Sequence, residues 1–472
     1  MVFASAIFLF LFLPITIIGY FLIKPKYRNF WLFIMSLIFY AWGGLIYAIL
    51  FIFSAYINFL FGIWMEKNRR RKKLILSLSI VWNLGILAYF KYSSFILLNL
   101  QAVIQIFIPN FKINIVSVPL PIGISFFTFQ IMTYVIDLYR EEIKVQKKFI
   151  NLGLYIMLFP QLIAGPIVRY IDIEKEINNR KVDINLIDEG IKRFILGLGK
   201  KIFIANIMGT WADIVFNMPL EKINTPLAWL GIFGYTMQIF FDFSAYSDMA
   251  IGLGKIFGFH FLENFNYPYV SRNIQEFWRR WHISLSQWFK DYLYIPLGGN
   301  RKGEIRTYIN LLTVFFLTGL WHGASWNFIF WGIFHGLFLI IERLGLKKFL
   351  EKIPKTLQHF YTMIIVIIGW VFFRSNSFIF ALKYLKKLFV PNFIYMESFF
   401  VELETLKLFI VVCTIFFSTP IVPKLKNILL NNVFKSKFYY EIFRNFVYIV
   451  LFLLSVIFLA GSNFNPFIYF HF

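Results

Sequence analysis

The chain has 472 residues, 59% of them hydrophobic and 15% charged, with a formal net charge of +23 at pH 7. That composition excludes an ordinary soluble domain and places the chain in a lipid bilayer. The single cysteine, Cys413, sits in an aliphatic run, which leaves no disulfide framework and no cysteine-cluster metal site.

Residues 3–23 are almost uninterruptedly apolar, and about 20 such residues cross the ~30 Å hydrocarbon core. Lys24, Lys26 and Arg28 follow this stretch instead of preceding it, so it reads as a retained first span with its N-terminus outside. The chain turns back at Trp42-Gly43-Gly44 and reaches Lys67, Arg69, Arg70, Arg71, Lys72 and Lys73. Such short basic blocks between apolar segments indicate positive-inside topology and no nucleic-acid partner. Residues 74–98 and 119–139 form the next pair of spans and return to Arg140, Lys144, Lys147 and Lys148. Pro160, Gly165 and Pro166 make 149–168 a re-entrant or broken helix, because irregular backbone survives at membrane depth only inside protein.

From Arg169 to Lys201 the chain is polar and mixed in charge, and 225–259 is apolar but interrupted by Asp242, Ser244, Tyr246, Ser247 and Asp248. Residues 271–290 combine three tryptophans with Arg and Lys, the pattern of a helix lying in the membrane interface. Residues 307–320 and 324–341 form a hairpin entering from inside, with Trp321-His322-Gly323 at its tip. Residues 360–373 cross outward, Glu397, Glu402 and Glu404 are external, 406–423 return to the basic stretch 424–444, and a last span over 446–460 leads out. The expectation is an all-α polytopic membrane protein of roughly ten to twelve spans with both termini outside. No repeat or separate hydrophilic domain is visible, so 1–472 reads as one integral-membrane domain.

Ionisable side chains at bilayer depth are costly, which makes His322, His335, Asp242 and Asp248 candidates for function. Taken alone, His322 reads as a neutral histidine satisfied by a neighbouring carbonyl. At the tip of a short hairpin, between Gly319 and Gly323, it is instead reachable from cavities on both sides. Desolvation there keeps an imidazole neutral and able to accept a proton from an attacking hydroxyl. His335 lies about 220° further round a continuous helix, which favours packing. His282 is off the stripe formed by Trp281, Leu285 and Trp288, and spacing leaves surface and pocket readings open. The two aspartates point to opposite sides of one helix and suggest polar packing more than a carboxylate pair. Arg301 and Lys302, in IPLGGNRKG (295–303), suit a phosphorylated donor such as coenzyme A, although an ordinary cytoplasmic basic loop has the same composition.

The stretches PIGISFFTFQ (121–130), FPQLIAGPI (159–167), FDFSAYSDMAIGLGKIFGF (241–259), FWRRWHISLSQWFKDYLYIPLGGNRKG (277–303) and GLWHGASWNFIFWGIFHG (319–336) carry a resemblance. The chain is similar, nearly end to end, to the bacterial branch of the membrane-bound O-acyltransferase (MBOAT) superfamily that includes alginate and peptidoglycan O-acetyltransferases. The resemblance implies a ring of tilted helices, with re-entrant and interfacial helices, around a central funnel or tunnel. It matches His322 to the invariant superfamily histidine and His282 to a second motif histidine. It implies acetyl-CoA as a cytoplasmic donor substrate with no bound cofactor or metal. It also implies an extracytoplasmic SGNH/GDSL-type partner that delivers the acyl group to a polysaccharide, and a place in the bacterial inner membrane.

The final residues, FIYFHF (467–472), in a tail beginning at 461, resemble the terminus of a small membrane protein of teichoic-acid D-alanylation, which points to Tyr469 as an acyl carrier. An aromatic anchor in the membrane interface is the other reading of that tail. Two further functions compete. A flippase for a lipid-linked sugar would use Asp242 and Asp248 along its substrate path, and an acyltransferase acting on a lipid or protein would keep the same chemistry.

Overall fold

The computed structural model of the chain describes residues 1–461 apart from 116–117, 164, 395, 397–404, 430–432 and 435. Tyr469 and the external glutamates Glu397, Glu402 and Glu404 therefore lie outside the described residues. Every regular element among the described residues is a helix. Five helical segments are long and apolar enough to cross a membrane: Leu45–Lys67, Arg69–Phe107, Trp326–Leu350, Lys355–Arg374 and Lys437–Gly461. Shorter apolar helices run over Phe8–Leu22, Ile124–Tyr139, Phe149–Leu162 and Leu408–Phe417. Large apolar side chains such as Leu22, Ile106 and Leu453 are exposed, as a lipid-facing surface requires. The chain is a multi-pass, all-α membrane protein.

It divides into two compact units. The first comprises Met1–Gly190, Leu253–Leu262 and Gly323–Ser325. It contains α1 (Leu13–Leu22), α2 (Arg28–Ala41), α3 (Leu45–Lys67), α4 (Lys72–Leu87), α5 (Ser93–Phe107), α6 (Ile124–Tyr139), α7 (Phe149–Met157), α8 (Phe159–Leu162) and α9 (Tyr170–Asn178). Side-chain amides join its helices where apolar packing gives no orientation. Asn58 and Asn83 exchange hydrogen bonds of 3.0 and 2.8 Å, and Ser79 donates to Asn58 at 2.8 Å. Such satisfied polar pairs hold helices together in lipid, where apolar side chains gain little by leaving it. The stretch around Pro160 is indeed broken: α7 ends at Met157, Leu158 takes ψ 113°, and α8 restarts at once. Both pieces are buried, and the Tyr155 hydroxyl lies 3.1 Å from the Gln130 carbonyl and 3.0 Å from that of Val168, two acceptors flanking the break.

The second unit comprises Ile191–Gly252, Glu263–His322 and Trp326–Phe472. Its helices begin with residues 191–199 of α10 (Ile184–Gly199), then α11 (Asn206–Phe216) and the long α12 (Thr225–Ile256) as far as residue 252. Two short helices follow, α13 (Ile274–Arg280) and α14 (Ile283–Phe289), then α15 (Glu304–His322), α16 (Trp326–Ile341), α17 (Lys347–Leu350), α18 (Lys355–Arg374) and α19 (Phe378–Phe389). α15 and α16 form a hairpin in which glycine permits backbone contact. A Cβ on Gly319 would lie 2.3 Å from the Phe328 carbonyl oxygen, and one on Gly332 would lie 2.2 Å from that of Phe315. The small residues let the two axes approach closely and fix the end of α15, where His322 sits.

The single interfacial helix expected over 271–290 is not formed. The segment breaks between α13 and α14 at His282, which adopts a left-handed backbone with φ 44° and ψ 54°. Trp278, Trp281 and Trp288 are buried in protein. A tryptophan- and arginine-rich pattern suits a membrane interface and a buried aromatic core equally, and here all three tryptophans pack inside the protein.

Candidate active site

The site is built from the residues around His282. Its ring is fully buried, and the Phe243 ring of α12 meets it edge-on at 4.6 Å between centroids. Nδ1 lies 3.1 Å from Oδ1 of Asn264. The same oxygen accepts from the Ser284 backbone N–H at 3.2 Å and the Ser284 hydroxyl at 2.9 Å, while the Asn264 amide nitrogen donates to Ser247 at 3.2 Å. These bonds orient the asparagine amide, so Nδ1 of His282 must carry the proton and Nε2 the lone pair.

The backbone of the loop is tied by the same asparagine. The Ile283 N–H donates to the Asn264 carbonyl at 2.9 Å, and Asn266 N–H donates to Arg280 at 2.9 Å. A non-glycine residue in the left-handed region costs about 1–3 kcal/mol and persists where surrounding bonds over-determine it, a condition common at functional sites.

His322 is the last residue of α15 and is buried. Its ring packs edge-on against Trp331 and Phe373, each at 5.0 Å. Trp321 stands between the two motif histidines, 4.8 Å from His322 and 6.0 Å from His282. Thus the structure brings His282 and His322 to one aromatic cluster within the second unit. His335 joins the far side of it: its ring lies 5.2 Å from both Trp331 and Trp278. Neither ring nitrogen of His335 has a hydrogen-bond partner among the described residues, so it fills space in an aromatic box.

The aspartates of α12 are held in ion pairs. Asp242 lies 2.7 Å from Lys201, and both side chains are nearly inaccessible. Asp248 lies 2.7 Å from both Arg193 and Lys200. Arg193 also reaches Glu263 at 2.6 Å, and Glu263 precedes Asn264. The cations of α10 and its extension therefore brace α12 and the loop that together surround His282. Arg301 and Lys302 are exposed on a separate loop, whose glycines Gly298, Gly299 and Gly303 all take positive φ. Asn310 closes this loop by donating to the Gly299 carbonyl at 3.0 Å.

Asn264, Trp321, Lys201 and Arg193 carry the arrangement but were not singled out from sequence. Asn264 meets His282 18 positions away and Arg193 meets Asp248 55 positions away, and neither separation is a spacing that implies chemistry. Asn264 yields a test. Asn264→Leu is expected to reduce acyl transfer about 10–100-fold, the range seen when a histidine loses the group that fixes its tautomer and orientation in metal sites. Asn264→Asp should restore activity and move the acid limb of the pH–rate profile upward, because a carboxylate beside Nδ1–H stabilises the imidazolium. A fully active Asn264→Leu enzyme would remove the positioning role.

Two buried histidines, His282 and His322, meet in one aromatic cluster inside a polytopic helical chain. The model of the MBOAT, membrane-bound O-acyltransferase family, matches residues 75–385. The chain belongs to this family, and it is an acyltransferase. It is 44% identical over 383 residues to the probable alginate O-acetylase AlgI of Pseudomonas aeruginosa, covering 80% of this chain and 72% of that one. It is 36% identical over 423 residues to the peptidoglycan O-acetyltransferase of Helicobacter pylori, covering 82% and 79%. It is 30% identical over 278 residues to the teichoic acid D-alanyltransferase of Bacillus subtilis, covering 56% and 69%.

Proposed function

We propose that this chain is an O-acetyltransferase that takes acetyl from cytoplasmic acetyl-CoA and passes it across the bacterial inner membrane for O-acetylation of a cell-surface or secreted polysaccharide. The observation that carries this reading is the burial of His322 at the end of α15, one tryptophan from a His282 of fixed tautomer. The O-acetylating activities named for the alginate and peptidoglycan relatives support the acyl group and the acceptor class.

In this reading His322 is the general base. It takes the proton of the attacking hydroxyl as that oxygen bonds to the thioester carbonyl carbon. The carbon–sulfur bond then breaks, the coenzyme A thiolate leaves and is protonated, and an oxygen ester results. Nε2 of His282 offers a fixed acceptor that orients the nucleophile. The hydroxyl is that of Tyr469, in the extracytoplasmic tail, and the acetyl group then moves to the serine of an SGNH/GDSL-type partner and on to the sugar. Arg301 and Lys302 meet the phosphates of the donor. The flippase alternative loses support, because Asp242 and Asp248 are each engaged by cations.

Incubating the purified chain with acetyl-CoA and sequencing its C-terminal peptide by mass spectrometry tests the relay. Acetyl-tyrosine at position 469 is expected in the wild type and absent in His322→Ala. An unmodified tail in an enzyme that consumes acetyl-CoA would replace the relay with direct transfer through the protein.

A further inference from the structure

A second feature belongs to the first unit alone and takes no part in the chemistry above. A cavity of about 930 Å³ opens where the start of α2, the start of α7 and the segment following α9 converge. Lys26, Arg28, Lys148 and Arg180 line it, and among the described residues no carboxylate does.

Arg180 is built into its wall. Nε donates to the Tyr20 hydroxyl and to the Phe257 carbonyl, each at 2.9 Å, and Nη1 donates to Asn29. The guanidinium groups of Arg180 and Arg28 lie 5.5 and 4.9 Å from the Tyr20 ring centroid, so two like charges are gathered at one residue. Nη2 of Arg180 and Nε of Arg28 are buried without a hydrogen-bond partner among the described residues. Buried donors on cations are costly unless something accepts from them. The first turns of α2 and α7, which also face this cavity, contain no acidic side chain. Their unpaired backbone N–H groups and helix dipoles add further positive potential.

The rim is of the opposite character. Tyr27, Phe30 and Ile150 line the cavity with 51%, 50% and 38% of their surface exposed. A cationic floor beside an exposed apolar rim matches a molecule with a phosphate at one end and acyl chains at the other. The basic loops that supply Lys26, Arg28 and Lys148 are those the positive-inside rule assigns to the cytoplasmic leaflet, where anionic headgroups attract such segments.

We propose that this cavity is a phosphate site occupied by the headgroup of an anionic phospholipid. Native mass spectrometry of the full chain released from nanodiscs containing phosphatidylglycerol and phosphatidylcholine tests it. The wild type should retain phosphatidylglycerol selectively. Each cation removed should weaken retention about fivefold, so Lys26→Gln/Lys148→Gln should lose about 25-fold. These lysines are exposed, so the double variant keeps its fold, and Arg28→Gln provides an independent check. Equal retention by wild type and variants, or equal retention of the two lipids, overturns the proposal. A parallel titration with inorganic phosphate and adenosine 3′,5′-bisphosphate separates the sources. Binding of either, sensitive to the lysine changes while phosphatidylglycerol is not enriched, would assign the site to a soluble phosphate ligand and overturn the lipid occupant.

Discussion

His322→Ala is expected to lower the rate of acyl transfer about 10²–10⁴-fold, the contribution of a positioned general base. The ring is buried against Trp331 and Phe373, so truncation also removes packing, and a control must separate chemistry from structure. His335→Leu supplies it. His335 is equally buried, touches the same Trp331 and makes no hydrogen bond among the described residues. An apolar side chain of similar volume should leave both activity and thermal unfolding near those of the wild type. If the two variants lose activity alike, the loss reports the aromatic cluster and not a base.

Lys201→Met is expected to destabilise the protein by about 3–5 kcal/mol, because it leaves Asp242 buried without its cation at 2.7 Å. Thermal unfolding of purified protein in detergent measures this. Lys201→Met/Asp242→Leu should recover much of the loss, since replacing both members of a buried pair by apolar residues is frequently neutral. Asp242 immediately precedes Phe243, whose ring packs on His282, so the single variant should also lose activity and the double variant regain part of it. A Lys201→Met protein as stable as the wild type would show that the pair holds nothing in place.

Much of the fold was legible because hydropathy and positive charge alone dictate where helices enter and leave a bilayer. The end of α15 at His322 followed from an apolar run too short to span and from the glycine after it. The break around Pro160 followed from residues that cannot continue a helix. Three things were not legible. The split of 271–290 at His282 depends on a left-handed residue stabilised by an asparagine 18 positions earlier, which no periodicity encodes. The ion pairs of Asp242 and Asp248 use Lys200 and Lys201 from a stretch that reads only as polar and mixed in charge. The tautomer of His282 is a property of the Asn264 network, visible only once three elements meet.

The proposed role of His322 is to drive transfer of acetyl from a cytoplasmic thioester to oxygen esters across the membrane. Inverted inner-membrane vesicles from cells producing the chain, supplied with acetyl-CoA labelled in its acetyl group, expose the donor side and retain the native envelope acceptors. Label is expected to enter base-labile esters in vesicles with the wild-type chain and to stay at the level of vesicles lacking the chain when His322 is alanine. Equal labelling with His322→Ala, or no labelling above that level with the wild type, would contradict it.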